Sequence, residues 1–240
     1  MELMKKKILF IGGSLNQTTM MYQISTHLKD YDCWFSPYYS DGFLGLLANK
    51  GVLNFTILGG NFKKQTEKFL HDHNLQVDYK GTANDYDLVY TCADLIVPKN
   101  IRNKKLILVQ EGMTDPENFA YFLVRYFNFP RWLASTSAMG ISNLYDIFCV
   151  ASEGYKELFM KKGAIPEKII VTGIPNFDNA KQFLNNNFPH KHFVLVATSD
   201  MRETFKYENR KKFIRDCVKI ANGKQLLFKL HPNEKYQRAK

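Results

Sequence analysis

The chain has 240 residues, 45% of them hydrophobic and 23% charged, with four cysteines and a formal net charge of +10. This is ordinary globular composition, long enough for one large or two smaller domains with packed cores. A nucleic-acid arm is excluded, because the lysines are scattered in pairs such as Lys63-Lys64 around one triplet, Lys5-Lys6-Lys7.

In chain order, Lys7 to Ile11 reads as a buried strand broken by Gly12-Gly13-Ser14; it is too short for an export signal. Thr18 to Leu28 has helical spacing, with Met21, Ile24 and Leu28 on one face. Asp32 to Phe35 is a second strand. From Gly42 to Leu58 the pattern is mixed: Phe43, Leu46 and Leu47 fit a helix, and Asn54 to Leu58 a strand before Gly59-Gly60. Phe62 to His73 is a helix. Tyr86 to Thr91 and Lys105 to Val109 are nearly all apolar, as parallel strands covered on both faces must be.

Asp115-Pro116 opens a helix over Glu117 to Phe127 as cap and first-turn pair. Asp146 to Val150 is a strand, and Glu153 to Lys162 a helix closed by Gly163. Lys168 to Thr172 completes the first sheet. A linker helix is read over Phe177 to Leu184, followed by Asn185-Asn-Asn187, Pro189 and His190. Phe193 to Ala197, a helix from Tyr207 to Ala221, and Gln225 to Lys229 then start a second β-α-β unit.

The expected class is therefore α/β: a Rossmann-type doubly wound parallel sheet over 1–175, a linker over 176–191, and an incomplete second Rossmann-like domain over 192–240. Two strands rarely make a finished parallel sheet, and Lys235 to Lys240 looks like the start of a helix, so a longer parent protein is expected. Cys33, Cys92, Cys149 and Cys217 lack zinc or dithiol spacing and suggest reduced thiols in the cytoplasm.

Chemistry in such sheets sits at the carboxyl ends of the strands. Glu111 follows one strand and Asp94 another, so each is either a general acid or base or a loop carboxylate; facing one substrate together, they would reinforce each other. Gly12, Gly13 and Ser14 form a glycine-rich turn before a helix, without a Walker lysine, that lets a substrate approach. His231, fixed by Pro232, ends a strand; it is either structural or placed to donate to a phosphate or move a proton. Thr198 and Ser199 offer hydroxyls nearby, and Arg202 can reach an anion. His71 and His73 point to different helix faces, and no metal is expected. Trp34, Tyr38, Tyr39, Trp132 and the rings from Tyr121 to Phe129 read as core rather than stacking platforms. The basic balance is either a solvated surface or an attraction for anionic ligands or an anionic membrane face.

Val109-Gln-Glu-Gly-Met113, Ile170 to Asp178 (Ile-Val-Thr-Gly-Ile-Pro-Asn-Phe-Asp), Val194-Leu-Val-Ala-Thr198 and Lys229-Leu-His-Pro232 resemble two-domain GT-B enzymes acting on nucleotide-activated sugars. The resemblance is to the UDP-N-acetylglucosamine 2-epimerase group, and through the His-Pro element to glycerophosphotransferases and capsule sugar transferases. It implies a nucleotide-sugar donor (UDP-, CMP- or CDP-linked) as substrate, with no bound cofactor. The partners it implies are a glycan or lipid-linked acceptor and peripheral contact at the inner membrane face, without nucleic acid. The epimerase acids correspond in order to Asp94, Glu111 and Glu117, and the transferase histidine that binds donor phosphate to His231. A departure is Thr198 to Thr204, where the epimerase histidine is missing. Three functions follow: transfer of a sugar or polyol phosphate in cell-surface glycan synthesis, epimerisation of a nucleotide sugar, or a non-catalytic fragment or binding domain.

Overall fold

A computed structural model describes residues 5–199, 207–231 and 234. The chain divides into two compact units, Met1–Lys181 and Gln182–Lys240.

The first unit holds six parallel strands in the order β2-β1-β3-β4-β5-β6. They are β1 (Lys7–Ile11), β2 (Asp32–Ser36), β3 (Leu88–Thr91), β4 (Lys105–Val109), β5 (Ile147–Val150) and β6 (Ile169–Val171). Alternate side chains feed opposite layers, the period-two consequence of the pleat. Leu9, Ile11, Val89, Leu106, Leu108, Phe148 and Val150 face one layer, which Phe159 of α5 (Glu153–Lys162) completes. Ile8, Phe10, Tyr90, Ile107 and Val109 face the other. There they meet Met20 and Met21 of α1 (Leu15–Ser25) and Leu70 of α3 (Gly60–Asp72). Covering on both faces makes the sheet doubly wound, which is why its central strands are mostly apolar.

In the second unit β7 (Val194–Ala197) pairs in parallel with β8 (Leu226–Lys229) as a separate sheet, joined through α6 (Arg210–Ala221). Cys217 and Ala221 bury the inner side of α6. All four cysteines are free, and among the described residues no helix is long and apolar enough to cross a membrane.

Several expectations are corrected. Asn54 to Leu58 is a run of turns: Asn54, Thr56 and Gly59 donate their amides back to Gly51, Leu53 and Thr56. Asn54 Oδ1 also accepts from the Gly60 amide, so nothing is left to extend a strand. Only Gly42–Asn49 of that stretch is helical (α2). The helix expected from Glu117 begins at Phe119 (α4, Phe119–Phe127), because Asn118 caps it through the Tyr121 amide. The linker helix is two short 3-10 turns, Pro175–Phe177 and Ala180–Phe183. Tyr38, Tyr39 and Tyr121 are core, but Phe122, Tyr126, Phe127, Phe129 and Trp132 are exposed. The inner side of α4 accepts only Tyr121 and Val124 against Ala134 and Ala138, so the remaining rings have no core to enter. The helix expected over 235–240 lies outside the described residues.

One polar cluster steadies the approach to β3. The buried Asp78 carboxylate accepts the Tyr86 hydroxyl at 2.6 Å and the amides of Thr82, Ala83 and Asn84. Burial alone would raise its pKa, but these four donors outweigh burial and hold it below the ordinary carboxylate range. A depressed folded-state pKa stabilises above the unfolded value of about 3.9 and is lost as pH falls through the folded one. Asp78→Ala should therefore cost about 2–3 kcal/mol in urea unfolding at pH 7. The gap to wild type should close in the acid limb; a gap constant down to pH 2 would count against this account.

Candidate functional site

The strand order reverses at β1, which has β2 on one side and β3 on the other. In an open parallel sheet the crevice above such a point receives ligands. Gly12, Gly13 and Ser14 leave β1 there. A Cβ on Gly13 would lie 1.8 Å from Gln17 Oε1, and one on Gly12 2.5 Å from Thr18 Oγ1, so a side chain at either position would displace the Gln17 or Thr18 side chain from its place in the turn. Ser14 caps α1 in a full capping box: its Oγ accepts the Gln17 amide, and Gln17 Oε1 accepts the Ser14 amide. Thr18 and Thr66, both fully buried, join their hydroxyls at 3.0 Å beneath the turn. Thr66 also donates to the Gly13 carbonyl.

The first turn of α1 carries no acid of its own. Glu111, two residues beyond β4, supplies one from elsewhere in the chain. Its Oε1 accepts from Ser14 Oγ at 3.1 Å and Asn16 Nδ2 at 2.9 Å, and its Oε2 from Gln17 Nε2 at 2.5 Å. A carboxylate at a helix N-terminus complements the positive end of the macrodipole, worth about 0.3–1 kcal/mol. Asn176 Nδ2 donates to Asn16 Oδ1 at 2.8 Å, which extends the chain of contacts to the Ile-Pro-Asn segment after β6. Gln110, buried between β4 and β5, accepts the Ala151 amide and donates to the Gly112 carbonyl, holding both sides of Glu111. Nearby Cys92 is buried and its thiol is pushed well up, by burial first and by the Glu111 charge second.

Asp94 has a different task. It is fully buried, and its two oxygens accept the amides of Gly140 at 2.9 Å and Ser142 at 3.1 Å. Arg131 Nε donates to its backbone carbonyl. Burial raises the carboxyl above its ordinary value against the pull of those donors. Asp94 thus clamps the loop before β5, and its hydrogen-bond partners are not those of Glu111. Glu117 is exposed ahead of α4, and its charge acts on Lys162 and Tyr121.

Lys162 went unforeseen, since its neighbour Lys161 is an ordinary exposed lysine. Its side chain runs inward from the last turn of α5 and is 2% exposed. Nζ donates to the Ser137 carbonyl at 2.8 Å, with the Asp115 carbonyl and Thr114 Oγ1 at 3.4 Å each. Burial lowers its pKa, opposed by Glu117 and Asp115. One ammonium thus ties the segment leading from Glu111 into α4 to the segment after it, where Thr136 Oγ1 donates to the Asp115 carboxylate at 2.6 Å.

In the second unit Glu234 organises the strand ends. Its carboxylate bonds the Thr198 hydroxyl after β7, accepts the His231 amide at 2.9 Å after β8, and pairs with Arg210 of α6. Burial works to raise its pKa, but these donors leave it below the ordinary range. Thr198 and His231 are half-buried and Ser199 is exposed; Arg202 lies outside the described residues. Asn16, Gln17, Asn176, Lys162, Arg210 and Glu234 all escaped the sequence reading. Only the Ser14-x-x-Gln17 capping box carried a local signal.

No family model and no curated protein matches the chain. Among solved structures, an S. aureus MnaA–UDP co-structure is similar at 17% identity and a TM-score of 0.47, over 97% of this chain and 65% of that one. Anabaena HepE in complex with UDP and glucose is similar at 13% identity and 0.45, over 94% and 69%. UDP-N-acetylglucosamine 2-epimerase from Rickettsia bellii is similar at 12% identity and 0.44, over 95% and 62%. The chain therefore spans about two thirds of the length of these proteins.

Lys162→Met leaves three oxygens without their donor and should cost about 1–3 kcal/mol. A lysine whose folded-state pKa is lowered gives a protein whose stability rises with pH until the unfolded value of about 10.4. The wild-type advantage over Lys162→Met should accordingly widen between pH 7 and pH 10 in denaturant titrations. A narrowing gap would contradict the buried-cation reading.

Proposed function

We propose that the protein belongs to a nucleotide-sugar-dependent transferase of GT-B type that moves a sugar or polyol phosphate onto a hydroxyl of a glycan or lipid-linked acceptor. The observation that carries this reading is the Glu111 carboxylate above the β1 crevice, held by Ser14, Asn16 and Gln17. Those donors and the α1 N-terminus already serve an anion. The Gly12-Gly13-Ser14 turn therefore suits a neutral, hydroxyl-bearing acceptor better than a phosphate. Glu111 would accept the acceptor hydroxyl's proton as its oxygen attacks the donor, and the nucleotide would depart with the bond's electron pair. Thr198, Ser199, Arg202 and His231 of the second unit are the proposed contacts of the donor's phosphates. Asp94, buried and spent on the 140–142 loop, is removed from the catalytic set, and Glu117 has no assigned step.

Two measurements test this. UDP-, CMP- and CDP-linked donors should be screened by thermal shift; a ligand at a hundred times its Kd stabilises by about 2.7 kcal/mol. With the donor found, Glu111→Gln should lower transfer by about 10²–10⁴-fold, far more than the modest loss of stability expected from removing the charge at the α1 N-terminus accounts for. Unaltered turnover would remove Glu111 from the mechanism. Uptake of solvent deuterium at a sugar carbon without acceptor would mean epimerisation instead, and no donor binding at all would mean a non-catalytic domain.

A further inference from the structure

The amino edge of the first unit's sheet, the end away from Glu111, carries a cavity of its own. It measures about 590 Å³, within the roughly 300–1,000 Å³ that small-molecule sites occupy. Leu28, half-buried Cys33 and the ring of Tyr31, 41% exposed, give it a mostly apolar lining. Lys5 and Lys7, at the entry to β1, and Lys29, beyond α1, set three ammonium groups around that lining. Among the described residues none of these three lysines makes an ion pair. Lys7 Nζ donates to Asn84 Oδ1 and Lys5 Nζ to the Lys29 carbonyl at 3.4 Å, both neutral oxygens.

Charge decides the class of ligand. The acids in or beside the cavity are Asp30, Asp32 and Asp87. Asp87 accepts the Lys7 amide, and Asp32 accepts Trp34 Nε1 at 2.9 Å and Gln76 Nε2 at 2.8 Å. Burial works to raise the Asp32 carboxyl, but those two donors and the charges of Lys7 and Lys5 bring it below the ordinary range. With Lys6, four lysines border the cavity against these three acids, so the local balance stays positive, as does the whole chain at +10. The carbonyl end of α1, which closes at the lining residue Ser25, is already capped: Tyr22, Ile24 and Ser25 accept the amides of Thr26, His27 and Leu28. A bare phosphate would leave the apolar lining in water, and a purely apolar ligand would strip water from ammonium groups without replacing it. A flat ring that carries an anion satisfies both, since rings pack on tyrosine and lysines make charge-assisted hydrogen bonds to phosphate.

We infer that this cavity binds a small aromatic phosphate, whose ring packs on Leu28, Tyr31 and Cys33 while Lys5 and Lys29 hold its phosphate. The site is separate from the transfer reaction proposed above, whose first-unit groups sit at the carboxyl edge of the sheet, and it does not depend on that reaction.

Cys33 supplies a local readout, because its thiol lines the cavity. Burial first and the Asp32 charge second push that thiol up, so labelling with a maleimide is followed at alkaline pH, by mass spectrometry of the Cys33 peptide. Phenyl phosphate should slow labelling of Cys33 saturably and leave unchanged that of half-buried Cys149, which does not line this cavity. Equilibrium dialysis with the same probe reads the binding without the thiol, and raised salt should weaken it. Lys5→Gln combined with Lys29→Gln should raise the half-saturating concentration by about tenfold or more. The melting temperature should not change, because both side chains are exposed. Absence of phenyl phosphate binding overturns the inference, as does equal protection of Cys149 or binding that the double variant leaves intact. Inorganic phosphate binding as tightly as phenyl phosphate would overturn the role of the apolar lining, and phenol binding as tightly would overturn that of the lysines.

Discussion

A helix that begins without an acid needs one from elsewhere. α1 starts at the point where the sheet reverses direction, its first turn holds Leu15, Asn16 and Gln17, and the compensating charge comes from Glu111 beyond β4. That contact links two loops nearly a hundred residues apart in sequence and spans the end of β3 between them. It depends on the glycine turn, because a side chain at position 13 would push aside the Gln17 amide that both closes the capping box and grips Glu111. Turn, cap and carboxylate therefore form one device, and Gln110 and Asn176 hold it from either side.

The same physical problem is solved three more times with different groups. Asp94 satisfies the amides of the 140–142 loop, Asp78 those of the 82–84 turn, and Glu234 the hydroxyl and amide that follow β7 and β8. Each is a buried carboxylate that meets its desolvation cost with several donors. Lys162 is the inverse case, a buried cation held by carbonyl and hydroxyl oxygens. Of these groups, Glu111 combines partial exposure with a place above the crevice, which is why it can be both a structural anion and a candidate base.

The elements legible from sequence were those with strong periodicity. β1 and β4 occupy the expected residues, and α5 ends at Gly163, whose φ of 105° suits glycine alone. Legibility failed where local pattern and tertiary demand parted. Asn54 to Leu58 has strand-like composition, but its amides turn back on the chain after Gly51. The rings from Tyr121 to Phe129 and Trp132 read as core, although a nine-residue helix with one packed side buries only Tyr121 among them. Whether an apolar ring is inside depends on the surface a helix can reach, and that information is not local.

By itself the sequence determined the α/β class, the covered parallel strands and the place of Glu111 at a strand end, because alternation, β-branched runs and glycine breaks act over a few residues. Only the tertiary structure decided what each strand-end acid bonds. Asp94 and Glu111 occupy equivalent sequence positions, yet one meets backbone amides in a sealed loop and the other the side chains of a helix start. That difference arises from strand order and side-chain direction, which exist once the sheet has formed.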